Sequence, residues 1–375
     1  MFLRKFTLQN FRNYGDVILE FNRCGNLLFG RNGQGKTNLL ESIYYLSVFR
    51  SFRRGTDKEI VRWDNDWFRI SGFFDTGRSA DRSITVRWEH GGPKQVYFEN
   101  DRMQTLSEMI GIFPAVLMSP ESVEITQGQP VERRRFLDLC FSMVDREYLE
   151  NLIAYRRVLR QRNRLLSSFG GNRGHGDETL EAWTEKLIEH GSFIIDRRAA
   201  AIDIFSDICR EMYAEVSTGS EALEMRYHAN LVDVSDSAES FRAELGKLYD
   251  EELNRGATLI GPHRDDLLLF LDGHDARKYG SQGQHKTILL ALKAAELQFI
   301  SEKRGIQPVI LLDDLFALLD SKRIMAFLKV LKRYGQFFIT SNVEIRPDFI
   351  LTEAGFSASD FSQFYVEGGS VQHQS

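Results

Sequence analysis

Gly30-Arg31-Asn32-Gly33-Gln34-Gly35-Lys36-Thr37 sets glycines, one lysine and one hydroxyl at the spacing G-x-x-x-x-G-K-[ST]. The apolar run Leu27-Leu28-Phe29 precedes it, and helix-forming Asn38-Leu39-Leu40-Glu41 follows. Glycines let backbone N–H groups converge on phosphate oxygens with no Cβ in the way. A helix starting at this point adds positive partial charge. The chemistry expected of Gly30 to Asn38 is therefore ATP binding. Lys36 neutralises the β- and γ-phosphates and Thr37 ligates Mg2+.

A second chemical segment is Val309-Ile310-Leu311-Leu312-Asp313-Asp314, an apolar strand ending in two acids. Asp313 at the strand end would hold Mg2+ with Thr37, and Asp314 would orient or deprotonate an attacking water. The pair could also serve only as a cap for the next helix. Lys36, Asp313 and Asp314 form the expected catalytic set, with Thr37 and Asp313 as metal ligands. Thr340 ends another apolar strand and could sense a γ-phosphate or cap a turn. A third segment, Ser281-Gln282-Gly283-Gln284, opens a helix. Ser281 suits an N-cap there, and the exposed N–H groups could form a second anion site.

These residues need a scaffold. Phe2–Leu8, Val17–Phe21, Asn26–Phe29, Trp67–Phe74, Ser83–Trp88 and Gln95–Phe98 read as strands, and a helix is expected over about 35–48. From about 130 to 217 the texture is helical, with Leu149, Leu152, Ile153, Leu159, Leu165 and Leu166 spaced for an amphipathic face. Residues 169–176 read as a loop, with His175 solvent-exposed because no partner stands at metal spacing. Strands and helices alternate again from Leu267–Leu271 through Pro308–Leu312 to Phe337–Thr340. The layout is an α/β head built from residues 1–118 and 255–375, with a mostly helical second lobe over 119–254.

Composition narrows the class. The chain has 375 residues, 42% hydrophobic and 27% charged, the profile of a soluble globular protein. No stretch approaches the roughly 18 apolar residues a membrane span needs, and the start lacks an export signal. The scattered, odd-numbered Cys24, Cys140 and Cys209 suit a reduced cytoplasm, packed as small apolar side chains. Net charge is −5, so nucleic-acid binding cannot be argued from the total. Between Arg133 and Arg164, however, nine arginines stand against four acids. That segment could bind DNA phosphates or be a solvated face with internal ion pairs.

In order and spacing the motifs resemble the RecF family, relatives of the SMC-type ATPase heads without their long coiled coil. Leu8-Gln9-Asn10-Phe11-Arg12-Asn13-Tyr14, Gly33 to Glu41, Ser51-Phe52-Arg53 and Ser119-Pro120-Glu121 carry the resemblance. Further blocks are Gly128-Gln129-Pro130, Arg133-Arg134-Arg135-Phe136-Leu137-Asp138, Gln161-Arg162-Asn163, Gly261-Pro262-His263-Arg264-Asp265-Asp266 and Gly280 to Gln284. The resemblance makes Ser281-Gln282-Gly283-Gln284 an ABC-type signature motif, facing the phosphate loop of a second chain in an ATP-dependent homodimer. It also implies weak, DNA-stimulated ATP hydrolysis, action at single-strand gaps with RecR, RecO and RecA, and a link to the SOS response. An ABC-type nucleotide switch acting without DNA is the alternative.

Asp314 is one methylene shorter than the glutamate usual in ABC ATPases, so slow turnover is expected. Leu318 replaces the family's glutamate before Asp320, which the resemblance puts at the dimer interface. His285 and Lys286 stand where glutamine and arginine are common. Gln127 and Gln129 both lie where a Mg2+-sensing glutamine would fall. His263 and Arg264 belong either to a turn with an Arg–Asp pair or beside nucleotide or DNA.

Overall fold

The computed structural model describes residues 1–53, 55–77, 82–169, 177–217, 221–342 and 347–374. His175 and most of its expected loop lie outside them. The chain forms two compact units: Met1–Val123, Met212–Ser220 and Lys286–Ser375 make the first, Glu124–Glu211 and Glu221–His285 the second.

In the first unit, two six-stranded sheets enclose the helix Lys36–Val48. One is antiparallel: Tyr14–Glu20, Phe2–Phe11, Trp67–Asp75, Arg82–Glu89, Gln95–Phe98 and Asp101–Arg102, in that spatial order. Alternation buries Leu3, Phe6, Leu8, Phe68, Ile70, Ile84, Val86 and Val96 on its inner face. The other runs Ser370–Gln374, Phe361–Glu367, Gly25–Phe29, Phe337–Ser341, Val309–Leu312 and Ala115–Met118. The four pairings from Phe361–Glu367 to Ala115–Met118 are parallel, and Ser370–Gln374 alone pairs antiparallel. Val309–Leu312 and Phe337–Ser341 are buried on both faces and carry no hydrophobic alternation, as parallel strands between layers require. Their carboxyl ends, with that of Gly25–Phe29, open on one edge of the sheet, where ligands bind in open α/β sheets.

The second unit holds the helices Pro130–Val144, Arg146–Ser168 and Ser237–Arg255 and most of the 39-residue helix Glu178–Val216. The long helix buries Leu187, Ile188, Ile194, Ile195, Ile202, Phe205 and Cys209. A three-stranded antiparallel sheet completes the unit, with Asp266–Leu271 between Leu223–His228 and His274–Asp275.

This sheet corrects the expected boundary. Residues 255–285 were placed with the head, yet Asp266–Leu271 pairs with Leu223–His228 along its whole length, from Asp266 opposite His228 to Leu271 opposite Leu223. Ladder hydrogen bonds bind that segment to the second unit, which is mostly helical, as expected, around this one small sheet. Residues 119–123 and 212–217 belong to the first unit instead. Cys140 and Cys209 are buried and all three cysteines are free. Among the described residues no helix is long and apolar enough to cross a membrane.

Candidate functional site

Phe29 ends its strand at the open sheet edge, and the chain turns through Gly30, Gly33 and Gly35 into the helix. Gly33 and Gly35 have φ of 79° and 119°, in the region that favours glycine. A Cβ on Gly35 would also lie 2.6 Å from Asn13 Nδ2 and 2.9 Å from Tyr14 Oη. Arg31, Asn32 and Gly33 are exposed while Gly35 and Lys36 are buried, so the loop is open outward and anchored inward. Lys36 Nζ donates to the carbonyls of Gly30 (2.7 Å) and Arg31 (2.9 Å). Burial lowers the ammonium's pKa, while the charges of Asp314 and Asp313 oppose that shift.

Asp313 reaches the same place from the end of Val309–Leu312. Thr37 Oγ1 donates to Asp313 Oδ1 at 2.9 Å, and Thr340 Oγ1 donates to the same oxygen at 2.8 Å. Burial raises the pKa of Asp313, with the two hydroxyl hydrogen bonds and Arg53 acting against it. Threonine hydroxyl and carboxylate are hard oxygen donors of the kind Mg2+ takes. Among the described residues no cluster of three or more His, Cys, Asp or Glu side chains could hold a metal. A cation at Thr37 and Asp313 would therefore draw its other ligands from phosphate oxygens and water.

Asp314 is exposed and has φ 51°, a left-handed conformation that aspartate tolerates better than most residues. Its backbone N–H donates to Thr340 Oγ1 at 2.8 Å. Thr340 thus ties the two acids to the neighbouring strand. Asp320 caps the helix Ser321–Leu331 by accepting from Arg323 N, and also pairs with the Arg323 guanidinium. The side chain of Leu318 lies outside those described.

Several supporting residues carried no assigned role in the sequence reading. Tyr14 Oη donates to Gly35 O at 2.9 Å and Asn13 Nδ2 to Gln34 O at 2.9 Å. Asn38 Nδ2 donates to Asn13 Oδ1, and Arg53 donates to Asn38 Oδ1. Beneath the loop, Glu41 is fully buried and accepts a bidentate pair from Arg12 at 3.0 and 2.7 Å, with Ser51 Oγ as a further donor. From the far end of the chain, Gly368 and Gly369 donate backbone N–H groups to Gln34. The hairpin of Phe361–Glu367 and Ser370–Gln374 that places them went unassigned from sequence, though Phe364 and Val366 show strand alternation.

Ser281 to Gln284 belong to the second unit. Gln284 N donates to Ser281 Oγ (3.2 Å) and Ser281 N to Gln284 Oε1 (2.6 Å), a reciprocal box at the start of Gln282–Arg304. Ser281 and Gln282 are exposed. Gln127 Nε2 donates to Gln282 Oε1 at 3.0 Å, whereas Gln129 occupies the N-cap position of Pro130–Val144.

The arginine-rich segment divides by burial. Arg133 is 2% exposed and makes a bidentate pair with Asp266 at 2.7 and 3.0 Å. Arg162 is fully buried on Glu252 (2.6 Å), Thr258 and Thr184. Neither can meet a phosphate, which corrects the reading of Arg133 to Arg164 as one basic surface. Arg134 donates to Asp265 O, and Arg156 to Asp138. Arg135, Arg157 and Arg164 are exposed.

Deeper in this unit, Arg198 donates to Asp138 (2.7 Å) and Asp265 (2.9 Å). His263 Nδ1 lies 2.6 Å from Tyr155 Oη and Nε2 lies 3.1 Å from Thr258 O. Burial pushes its pKa down to about 4. His263, Asp265 and Asp266 thus belong to the framework of the second unit, while Arg264 remains exposed.

The family described as RecF/RecN/SMC N terminal domain matches residues 2–346. A protein named DNA replication and repair protein RecF from Prosthecochloris aestuarii is 37% identical over 356 residues, covering 93% of this chain and 96% of that one. The chain belongs to the RecF family. The RecF of Bacillus subtilis is 34% identical over 346 residues, 91% of this chain and 93% of that one. A solved structure of the recombination mediator protein RecF with ATP, from the RecFOR pathway, matches with TM-score 0.88 and 32% identity, covering 100% and 98% of the two chains. An SMC head bound to the C-terminal winged-helix domain of ScpA shares the fold, with TM-score 0.56 at 15% identity over 100% and 97%. RecF membership and an α/β head without a long coiled coil, both expected from the motifs, are borne out.

Proposed function

We propose that this chain is an ATP-dependent DNA-binding protein of replication and recombinational repair, an ABC/SMC-type ATPase that works as an ATP-bridged homodimer. The observation that carries the nucleotide reading is the meeting of Thr37 and Thr340 on one oxygen of Asp313, beside the glycine loop and Lys36. Residues far apart in sequence converge there on hard-oxygen chemistry and a cationic head. Gly30 to Asn38 hold the phosphates, and Lys36 moves from the loop carbonyls to the β/γ-phosphate oxygens. Mg2+, when bound by Thr37 and Asp313, supplies charge neutralisation at the phosphates. Asp314 orients the attacking water. Each chain's Ser281-Gln282-Gly283-Gln284 faces the nucleotide of the other, with Gln127 sensing the cation through its bond to Gln282.

Exposed arginines, including Arg135, Arg157 and Arg164, hold DNA phosphates in the closed dimer. The family resemblance adds a cytoplasmic setting, single-strand gaps as target, RecR, RecO and RecA as partners, and a link to SOS induction.

A second reading, an ABC-type nucleotide switch acting without DNA, is favoured by the net charge of −5 and by the burial of Arg133 and Arg162. ATP hydrolysis measured with and without gapped DNA separates the two. Stimulation supports the DNA reading, and an unchanged rate supports the switch. Asp314→Asn should lower the rate at least about 100-fold while ATP still binds; undiminished hydrolysis would remove Asp314 from the mechanism.

A further inference from the structure

The outer face of the antiparallel sheet presents an arrangement that folding alone does not favour. Arg69 on Trp67–Asp75 lies directly opposite Arg87 on Arg82–Glu89, and the same line continues to Gln9 on one side and Gln95 on the other. Alternate residues Leu8, Phe68, Ile70, Val86 and Val96 are buried on the inner face, so this line faces outward. Like charges directly opposite across a strand pair repel. Arg69 has no ion pair among the described residues, and Arg87 has only Glu89 at 3.5 Å, both half-exposed.

The two arginines border a groove of about 460 Å³ whose walls include Gln9, Trp67, Thr85 and Tyr97, with Asn100 at its end and no carboxylate among its lining residues. Arg102 stands opposite Tyr97 on the next strand and adds a third cation. Acids stand beyond the lining: Glu89 opposite Trp67, Asp16 opposite Gln9, and Glu99 and Asp101 on either side of Asn100.

An anion seated between Arg69 and Arg87 would turn their repulsion into two charge-assisted contacts, and guanidinium forks suit phosphate oxygens. The indole of Trp67 and the phenol ring of Tyr97 flank that position with faces on which a base can stack. Stacked bases in a paired duplex do not offer those faces, whereas a single strand does. We propose that this face binds a single DNA strand, its backbone phosphate between Arg69 and Arg87 and its bases against Trp67 and Tyr97. The site rests on the DNA-binding reading above and extends it to a surface of the first unit far in sequence from the arginine-rich segment. Gln9, Gln95 and Asn100 supply neutral donors that tolerate any base sequence.

Fluorescence anisotropy with a short labelled oligothymidylate tests this on the full chain. The double substitution Arg69→Gln/Arg87→Gln should weaken binding about tenfold or more and flatten the slope of log affinity against log salt by about 0.7, the share of the one phosphate held between them. Trp67→Ala should weaken binding and Trp67→Phe should retain most of it. The thermal midpoint of the double variant should equal or exceed that of the wild type, because the repelling pair is gone; a clear drop would make the pair structural and overturn the proposal. Binding that survives the double substitution with an unchanged salt slope overturns this site alone. Equal competition by a blunt duplex of the same length, or full displacement by inorganic phosphate at matched ionic strength, also overturns it. A wild-type protein that binds no strand at all overturns the DNA reading itself.

Discussion

Asp313 is a buried carboxylate with two hydroxyl donors on one oxygen, and its pKa stands above the ordinary value because burial outweighs those bonds. A carboxyl with a raised folded pKa adds stability only while protonated, and that stability is lost as pH rises through the raised value. At neutral pH its ionised form therefore strains the nucleotide-free fold. Asp313→Asn keeps the shape and an acceptor oxygen but removes the charge. It should raise the melting temperature of the nucleotide-free protein by about 2 °C and abolish the further rise caused by Mg-ATP. A melting scan at neutral pH with and without Mg-ATP checks both halves; an unchanged Mg-ATP shift would take Asp313 out of the cation site. The candidate residues Lys36, Thr37, Asp313 and Asp314 were legible in sequence because the phosphate chemistry proposed for them calls for those residue types in recognisable local patterns. Tyr14, Asn13, Arg12 and Glu41 were not, since their work is to hold Gly35 and the helix behind it. Such support depends on which strand lies beside the loop, and spacing in the chain does not encode that.

At the scale of elements, the arginine-rich helices show why charge counts mislead. Pro130–Val144 turns Arg133 inward onto Asp266, while Arg135 on the same helix faces solvent. Removing one partner of a buried pair leaves the other charge stranded, so Arg133→Ala should cost about 3–5 kcal/mol in urea unfolding. Arg135→Ala should change stability by less than about 0.5 kcal/mol. Equal effects would contradict this division. His263, held between Arg146–Ser168 and the Thr258 carbonyl, has its folded pKa depressed to about 4. Its contribution is present above the unfolded value near 6.5 and is lost as pH falls toward 4. His263→Gln should flatten the fall in stability across that interval by about 3 kcal/mol; an unaltered pH profile would show that the ring is not the acid-sensitive group. From sequence the strand Leu267–Leu271 was visible, but its pairing with Leu223–His228 was not. Register between segments some forty residues apart is a tertiary property, and for that reason the unit boundary moved to His285. The hairpin ending at Gln374 was missed although its apolar alternation could have revealed it.

For the whole molecule, the phosphate loop lies in one unit and the Ser281 loop in the other, each on the end of a helix. On the proposed function, two such half-sites would complete a nucleotide site when two chains meet. The proposed function therefore requires an ATP-dependent dimer, which light scattering coupled to size exclusion measures. With Mg-ATP and gapped DNA the protein component of the eluting complex should weigh twice the chain's 43.3 kDa, and Lys36→Met should stay monomeric under the same conditions. A wild-type chain that remains monomeric with saturating Mg-ATP and DNA, or a Lys36→Met variant that still dimerises on adding ATP, would contradict it.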